Sequence, residues 1–256
     1  MADSWIECWE PRPQAAFRLF CFPYAGVGAT VYRPWALALP DTIELRAVQP
    51  PGRGRRLAES PCTRLSDLAR AAAHAILPDA DRPFAIFGHS LGALVGFEVA
   101  RELRRLSGLA PAHLFASGRR APQLPDAEPP LHPLPDREFI AEVGRRYAGI
   151  PEAVLREPDL LRLLLPTLRT DIQSLETYIF TPDEPLACPL SVFGGEQDER
   201  ARPEQLDAWR HLTRGRFSRQ MFPGGHFFPV QDSQPLLLGA MARELAVSRT
   251  LAEARA

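Results

Sequence analysis

The 256-residue chain contains no lysine: every one of its 30 basic Lys-or-Arg positions is arginine. A guanidinium suits bidentate recognition of phosphate or carboxylate, but alanine and proline are abundant beside it, which is the codon signature of a GC-rich genome. Cysteine is sparse. Cys8, Cys21, Cys62 and Cys188 form no C-x-x-C pair and lie at no zinc-ligand spacing with histidine, so they read as free thiols in a reducing compartment, and no metal is expected. No apolar run approaches the ~18 residues of a membrane span. The opening "MADSWIECWEPRP" has acids and lacks the apolar stretch of a secretory signal. A cytoplasmic protein is expected. The net charge of -1 offers no field to recruit nucleic acid or an anionic membrane, and neither is expected as a partner. With 45% hydrophobic and 24% charged residues, the composition is that of a soluble globular chain, long enough for one large α/β domain.

What is present is an alternation of strand and helix signals. "AFRLFCF" (Ala16 to Phe22), "IELRAV" (Ile43 to Val48), "PFAIFG" (Pro83 to Gly88), "HLFASG" (His113 to Gly118), "LSVFGG" (Leu190 to Gly195) and "FSRQMF" (Phe217 to Phe222) are short apolar runs ended by turn residues. Helical patterns fall between them: Tyr32 to Leu39, Ser66 to Leu77 with Ser66 as cap, the stretch after Ser90, Glu204 to Leu212 and Pro235 to Val247. Such alternation predicts a mostly parallel central sheet with helices on both faces. From Ala121 to Pro135 proline interrupts the pattern. Asp136 to Tyr178 is then helical, with Leu161, Leu164, Leu165, Leu168, Ile172, Leu175 and Ile179 on one stripe and Pro166 expected to kink or end a helix. The domain reading is therefore a core in two parts, 1–120 and 183–256, with a helical lid inserted at 121–182.

The chemistry concentrates around "FGHSLG" (Phe87 to Gly92). A G-x-S-x-G pattern is common by chance, and a plain glycine-rich turn with a serine cap is the alternative reading. Here an apolar strand precedes Ser90 and a one-sided helix follows it, the surroundings of a serine nucleophile held clear of the backbone on a sharp turn. A serine hydroxyl attacks poorly without a base. Of the later histidines, His113 opens a strand, His132 sits among prolines as a solvated or lid contact, and His211 lies on a surface helix. His226, in "PGGHFFP" just past the last strand, is the candidate base. Asp198 in "GGEQDER", at the C-terminal end of a buried strand, is the candidate acid that orients it, with its neighbours Glu196 and Glu199 as alternatives. The backbone N–H of Leu91, at a helix N-terminus, supplies one oxyanion donor. The N–H of Ala25, in the loop "FPYAGVGAT" where Gly26 and Gly28 let the backbone approach a ligand, is the candidate for the second, with a plain glycine-rich turn as the alternative reading.

These segments together resemble the type II thioesterases that accompany polyketide synthases and nonribosomal peptide synthetases. The matching pieces run in order along nearly the whole chain: "FPYAG", "PGR" (Pro51 to Arg53), "FGHSLG", "SGRRAP" (Ser117 to Pro122), "LRTDIQSLETY" (Leu168 to Tyr178), "FGGEQD" and "GGHFF". The resemblance implies an α/β-hydrolase fold with a helical lid and a Ser90–His226–Asp198 triad. It implies hydrolysis of acyl groups from the phosphopantetheine arm of acyl or peptidyl carrier proteins, as editing of stalled or mis-primed assembly lines. Such a mechanism needs no cofactor of its own, and a monomer is the default expectation. The chain departs from the pattern at Val27, where a second glycine is usual, and after "PGR", where Gly54 and two arginines replace an acidic residue. Arg119, Arg120, Arg145, Arg146, Arg200 and Arg202 are candidates to meet an acidic carrier. A carboxylesterase or acyltransferase would use the same triad; a non-catalytic binding relative would be expected to have lost one of its members.

Overall fold

A computed structural model describes residues 5–126, 128–147 and 152–253. The strands are β1 (Ile6–Glu7), β2 (Phe17–Phe22), β3 (Ile43–Val48), β4 (Phe84–His89), β5 (His113–Ser117), β6 (Leu190–Gly195) and β7 (Phe217–Phe222). The helices are α1 (Arg33–Ala38), α2 (Leu65–Ile76), α3 (Leu91–Ser107), α4 (Asp136–Tyr147), α5 (Glu152–Leu155), α6 (Pro158–Glu176), α7 (Pro203–Asp207) and α8 (Gln234–Glu253). All seven strands form one sheet in the order β1-β3-β2-β4-β5-β6-β7. Every pairing is parallel except β1 with β3. This is the expected α/β architecture, with one short antiparallel edge that the sequence pattern did not reveal.

Strands β2, β4, β5 and β6 are buried on both faces, as the near-continuous apolar runs of a covered parallel sheet require. Their period-two alternation feeds two separate cores. Phe20, Phe22, Ile86, Leu114 and Val192 pack with α2 and α3 on one face. Leu19, Phe87, Phe115 and Phe193 pack with Trp35 of α1 and Leu238 and Met241 of α8 on the other. A third, smaller core of Leu131, Phe139, Val143, Leu165 and Ile172 holds α4 to α6.

Several local expectations shift. Helix α2 begins at Leu65 with no side-chain cap, so Ser66 lies within its first turn. The helical stretch from 136 is three helices, with residues 148–151 outside the described residues. Pro166 neither ends a helix nor begins one: α6 runs through it. Pro166 and Arg162 are both exposed, so water can take up the carbonyl that the missing N–H leaves free. Ile179 falls beyond the end of α6 and is 83% exposed, so it leaves the stripe.

The strand order reverses at β2 and β4: the chain goes from β2 outward to β3, then returns to place β4 on the other side of β2. Loops leaving the C-terminal ends of these two strands diverge and leave a crevice between them, where sites assemble in open α/β sheets.

Candidate active site

Ser90 stands at that crevice, between the end of β4 and the start of α3. Its backbone has φ 54° and ψ -114°, and it is the one non-glycine residue with positive φ among the described residues. Such a conformation costs on the order of 1–3 kcal/mol and persists only where its surroundings enforce it. They do so here. The Ser90 N–H donates to the Ser117 carbonyl at 2.8 Å. A Cβ at Gly88 would lie 2.0 Å from the Gly92 carbonyl oxygen, and one at Gly92 would lie 2.2 Å from that of Phe22. Only glycine at both flanks lets α3 start this close to the sheet.

Asp198 and His226 arrive on the loops after β6 and β7. His226 Nδ1 donates to Asp198 Oδ2 at 2.8 Å, because a carboxylate can only accept. His226 Nε2 is then an acceptor, and it lies 3.1 Å from Ser90 Oγ. Asp198 Oδ1 is held by the Arg200 N–H at 2.9 Å, and Gln197 clamps the histidine loop by accepting from the Gly224 N–H at 2.6 Å. All three side chains are buried, whereas the alternatives Glu196 and Glu199 are exposed. The structure thus brings the predicted Ser90, His226 and Asp198 into one hydrogen-bonded chain.

Leu91 is the first residue of α3, so its N–H has no acceptor one turn earlier within the helix. In the loop after β2, the Gly26 N–H is taken by Asp171 Oδ2 at 2.8 Å and the Val27 N–H by the Tyr24 carbonyl. Among the described residues the Ala25 N–H has no such acceptor, and Ala25 lines the pocket at Ser90. Gly28 turns out to face the Gln49 side chain rather than a ligand.

Asp171, on α6, carries more than one connection. Its carboxylate also forms a bidentate pair with Arg53, Oδ1 to Nη2 at 2.8 Å and Oδ2 to Nη1 at 2.5 Å. Both side chains are buried. One carboxylate therefore joins α6, the "PGR" loop and the backbone next to Ala25. Local sequence pattern offered no sign of this, since the partners are 118 and 145 positions apart.

The pocket at Ser90 has a volume of only about 30 Å³, roughly the space of one liquid water molecule. Val143, Tyr147, Leu168, Ile172 and Leu175 of α4 and α6 roof it. Three of these come from the predicted leucine stripe, while Leu165 of the same stripe packs in the third core. Tyr147 places its ring 5.5 Å from His226. His89 lies 5.0 Å from His226, ring to ring. Burial first, and then the neighbouring His226, hold the His89 imidazole well below the usual range and thus neutral.

Residues 17–245 match the thioesterase domain family. The chain belongs to the thioesterase family. It is 43% identical over 243 residues to the gramicidin S biosynthesis protein GrsT of Aneurinibacillus migulanus, covering 95% of this chain and 94% of that one. Among solved structures it resembles the RedJ thioesterase from the prodiginine biosynthetic pathway of Streptomyces coelicolor. That match has a TM-score of 0.83 at 39% identity and covers 92% of each chain. The type II thioesterase BorB from the borrelidin biosynthetic cluster superposes with a TM-score of 0.87 at 36% identity, covering 96% and 99%. The seven-stranded, mostly parallel sheet is thus the α/β-hydrolase fold of these thioesterases.

The other sequence candidates of this thioesterase sit elsewhere. His113 bonds Ser191 and Ser248 within the core. His132 pairs with Glu176 Oε2 at 2.7 Å, a contact between the proline-rich segment and α6. His211 is exposed. Arg145 and Arg146 pair with Glu142, Arg200 pairs with Glu128 and lies over the Tyr147 ring, and Arg202 is exposed. Arg119 and Arg120, expected as surface contacts, are both buried. Among the described residues no helix is long and apolar enough to cross a membrane.

Proposed function

We propose that this thioesterase hydrolyses acyl groups from the phosphopantetheine arm of acyl or peptidyl carrier proteins, with Ser90 as nucleophile, and so clears stalled or mis-primed polyketide and nonribosomal peptide assembly lines. The observation that carries it is the hydrogen-bonded chain Ser90–His226–Asp198 with Ser90 on a strained turn. The relatives support the pathway, since ClbQ and YbtT, thioesterase-fold neighbours each 30% identical to this chain, come from NRPS/PKS pathways.

His226 Nε2 takes the Ser90 proton as Oγ attacks the thioester carbonyl. Asp198 holds the imidazole in the tautomer that leaves Nε2 free and stabilises the imidazolium without accepting its proton. The neutral His89 next to it adds no competing positive charge. The developing oxyanion meets the N–H groups of Leu91 and Ala25. The pantetheine thiol leaves with the proton from His226, giving an acyl ester on Ser90. Water, deprotonated by His226, then attacks that ester and releases the free acid. These steps use side chains and backbone of one chain and the thiol of the substrate, so a monomer suffices and no further cofactor enters. The setting is the cytoplasm, where carrier proteins are loaded.

The test follows acyl-loaded holo-carrier by intact mass, with wild type beside Ser90→Ala. Wild type strips the acyl group and leaves holo-carrier; the variant leaves it loaded. A carrier that stays loaded while wild type cleaves a simple aryl ester keeps the triad but rules out the carrier-bound substrate.

A further inference from the structure

Six arginines are buried among the described residues: Arg18, Arg53, Arg56, Arg101, Arg119 and Arg120. Five of them have a carboxylate partner, namely Glu44, Asp171, Glu59, Glu98 and Asp126 respectively. Arg119 does not. It is 8% exposed, its Nε lacks any hydrogen-bond partner, and among the described residues no carboxylate is paired with it, Asp126 acting on it only at longer range. A buried cation without a counter-charge is costly, and a purely structural arginine would be expected to bring an acid with it, as its five counterparts do.

Arg119 borders a cavity of about 490 Å³, and Leu175 of α6 lines both this cavity and the Ser90 pocket. The acids on this cavity are already committed. Asp126 pairs with Arg120 at 2.6 Å. Glu128 pairs with Arg200 and, at 3.2 Å, with Arg146. Glu176 accepts from the backbone N–H groups of Leu131 and His132 and from the His132 ring. Arg120 also has an unpartnered Nε, but it keeps Asp126; among the described residues Arg119 is the buried arginine with an unfilled donor and no paired carboxylate. Burial, then the adjacent Arg120, pulls its pKa down to about 10, so it is still charged at neutral pH.

The position relative to the nucleophile is set by the sheet. The Ser117 carbonyl accepts the Ser90 N–H, and Arg119 follows two residues later, so chain length keeps its backbone within roughly 12 Å of that of Ser90. The Arg119 carbonyl is anchored by Trp209 Nε1 at 2.8 Å. Tyr147, which lines the Ser90 pocket, is close enough to interact electrostatically with Arg119.

We propose that Arg119 is an anion subsite for the thioester substrate, receiving a carboxylate or phosphate oxygen that the substrate carries while its carbonyl lies at Ser90. The chemistry is the same for either source, a planar guanidinium donating charge-assisted hydrogen bonds to an oxyanion in a desolvated site. The carboxylate would come from the acyl chain and the phosphate from the pantetheine arm. The inference rests on Ser90 being the nucleophile of a thioesterase.

The experiment compares wild type with Arg119→Gln on four thioesters: butyryl and glutaryl chains, each on N-acetylcysteamine and on 4′-phosphopantetheine. If the subsite takes an acyl carboxylate, the glutaryl-to-butyryl ratio of kcat/KM falls in Arg119→Gln by on the order of tenfold to a hundredfold, the range charge-assisted hydrogen bonds supply. If it takes the phosphate, the phosphopantetheine-to-cysteamine ratio falls instead. Both ratios unchanged in a folded variant would overturn the proposal. On the unmodified protein, 4′-phosphopantetheine should inhibit more strongly than pantetheine, or glutarate more strongly than butyrate; equal inhibition within both pairs overturns it even if Arg119→Gln does not fold. Failure of wild type to hydrolyse any of the four would instead strike the thioesterase reading itself.

Discussion

Replacing Asp171 with asparagine is nearly isosteric and separates two consequences of a single carboxylate. Asp171 Oδ2 accepts from both Gly26 N–H and Arg53 Nη1, and Oδ1 accepts from Arg53 Nη2. An asparagine keeps one acceptor oxygen and replaces the other with an NH₂ donor. If its oxygen takes the Oδ2 position, the NH₂ faces Arg53 Nη2, donor against donor; if it takes the Oδ1 position, the NH₂ faces the Gly26 N–H. Either way a buried guanidinium loses its counter-charge. Breaking a buried pair in this way costs about 3–5 kcal/mol. For a chain of this size each kcal/mol lowers the melting temperature by roughly 2–4 °C, so a fall on the order of 10 °C is expected. The second consequence is catalytic. Gly26 is bonded to Ala25, and a loosened loop no longer aims the Ala25 N–H at the oxyanion. Loss of one such donor costs about 10²–10³ in kcat, which is the upper bound for this variant. Thermal melts give the first number. The second comes from kcat and KM on an aryl ester, measured well below the variant's melting temperature. Asp171→Asn melting within about 2 °C of wild type would refute the energetic reasoning. A variant that is destabilised yet turns over with wild-type kcat would refute the link between α6 and the oxyanion loop.

Two further predictions follow from the core. Gly92→Ala puts a methyl group 2.2 Å from the Phe22 carbonyl oxygen and 2.7 Å from that of Pro23. Backbone must move, at a cost of roughly 1–3 kcal/mol or more; an unchanged melting temperature would refute the close packing of α3 on β2. His113 is pushed down to about 3 by burial and, secondarily, by Arg216. Between that value and the ordinary imidazole range near 6.5 the unfolded chain binds a proton that the folded one does not. Stability should therefore fall with decreasing pH through this window, by up to roughly 1.4 kcal/mol per unit for this group. Denaturant melts from pH 7 to 4 should show a shallower acid slope in His113→Gln, and identical slopes would refute the assignment.

The parts legible in the sequence are those whose cause is local. A strand, a flanked serine and an amphipathic helix lie within about thirty residues, so the turn at Ser90 could be read from pattern alone. Asp198 and His226 were found because each follows a strand end that shows as an apolar run. The Asp171–Arg53 pair was invisible for the opposite reason: its partners are far apart in the chain, and neither stands in a pattern that announces burial. Arg119 and Arg120 were read as surface groups because arginine usually is exposed, and nothing next to them in the chain shows that the end of β5 lies under α7 and the proline-rich segment. Strand β1 is two residues long, too short for alternation to register.

The narrow pocket and the pinned carboxylate meet at helix α6. About 30 Å³ is far below the ~300 Å³ or more of a pocket that takes a small molecule, so the side chains of α4 and α6 leave little room directly over Ser90. The two halves of α6 are not equally free to yield. From Thr167 onward it is tied down, by Thr167 Oγ1 to the Gly52 carbonyl at 2.9 Å, by Asp171 to Arg53 and Gly26, and by the burial of Ile172, Ser174 and Leu175. From Leu160 to Leu164 every residue is exposed or half-buried, and Pro166, which lacks the N–H that would join the two turns, lies at the boundary. Helix α4 buries only Phe139 and Val143. Enlarging the pocket by moving α4 with the first half of α6 breaks a small apolar core. Moving the second half would break a buried ion pair and disturb the oxyanion loop at the moment it is needed. The two halves of one helix are therefore held to different degrees, and the ties to the "PGR" loop and to the backbone beside Ala25 all belong to the second.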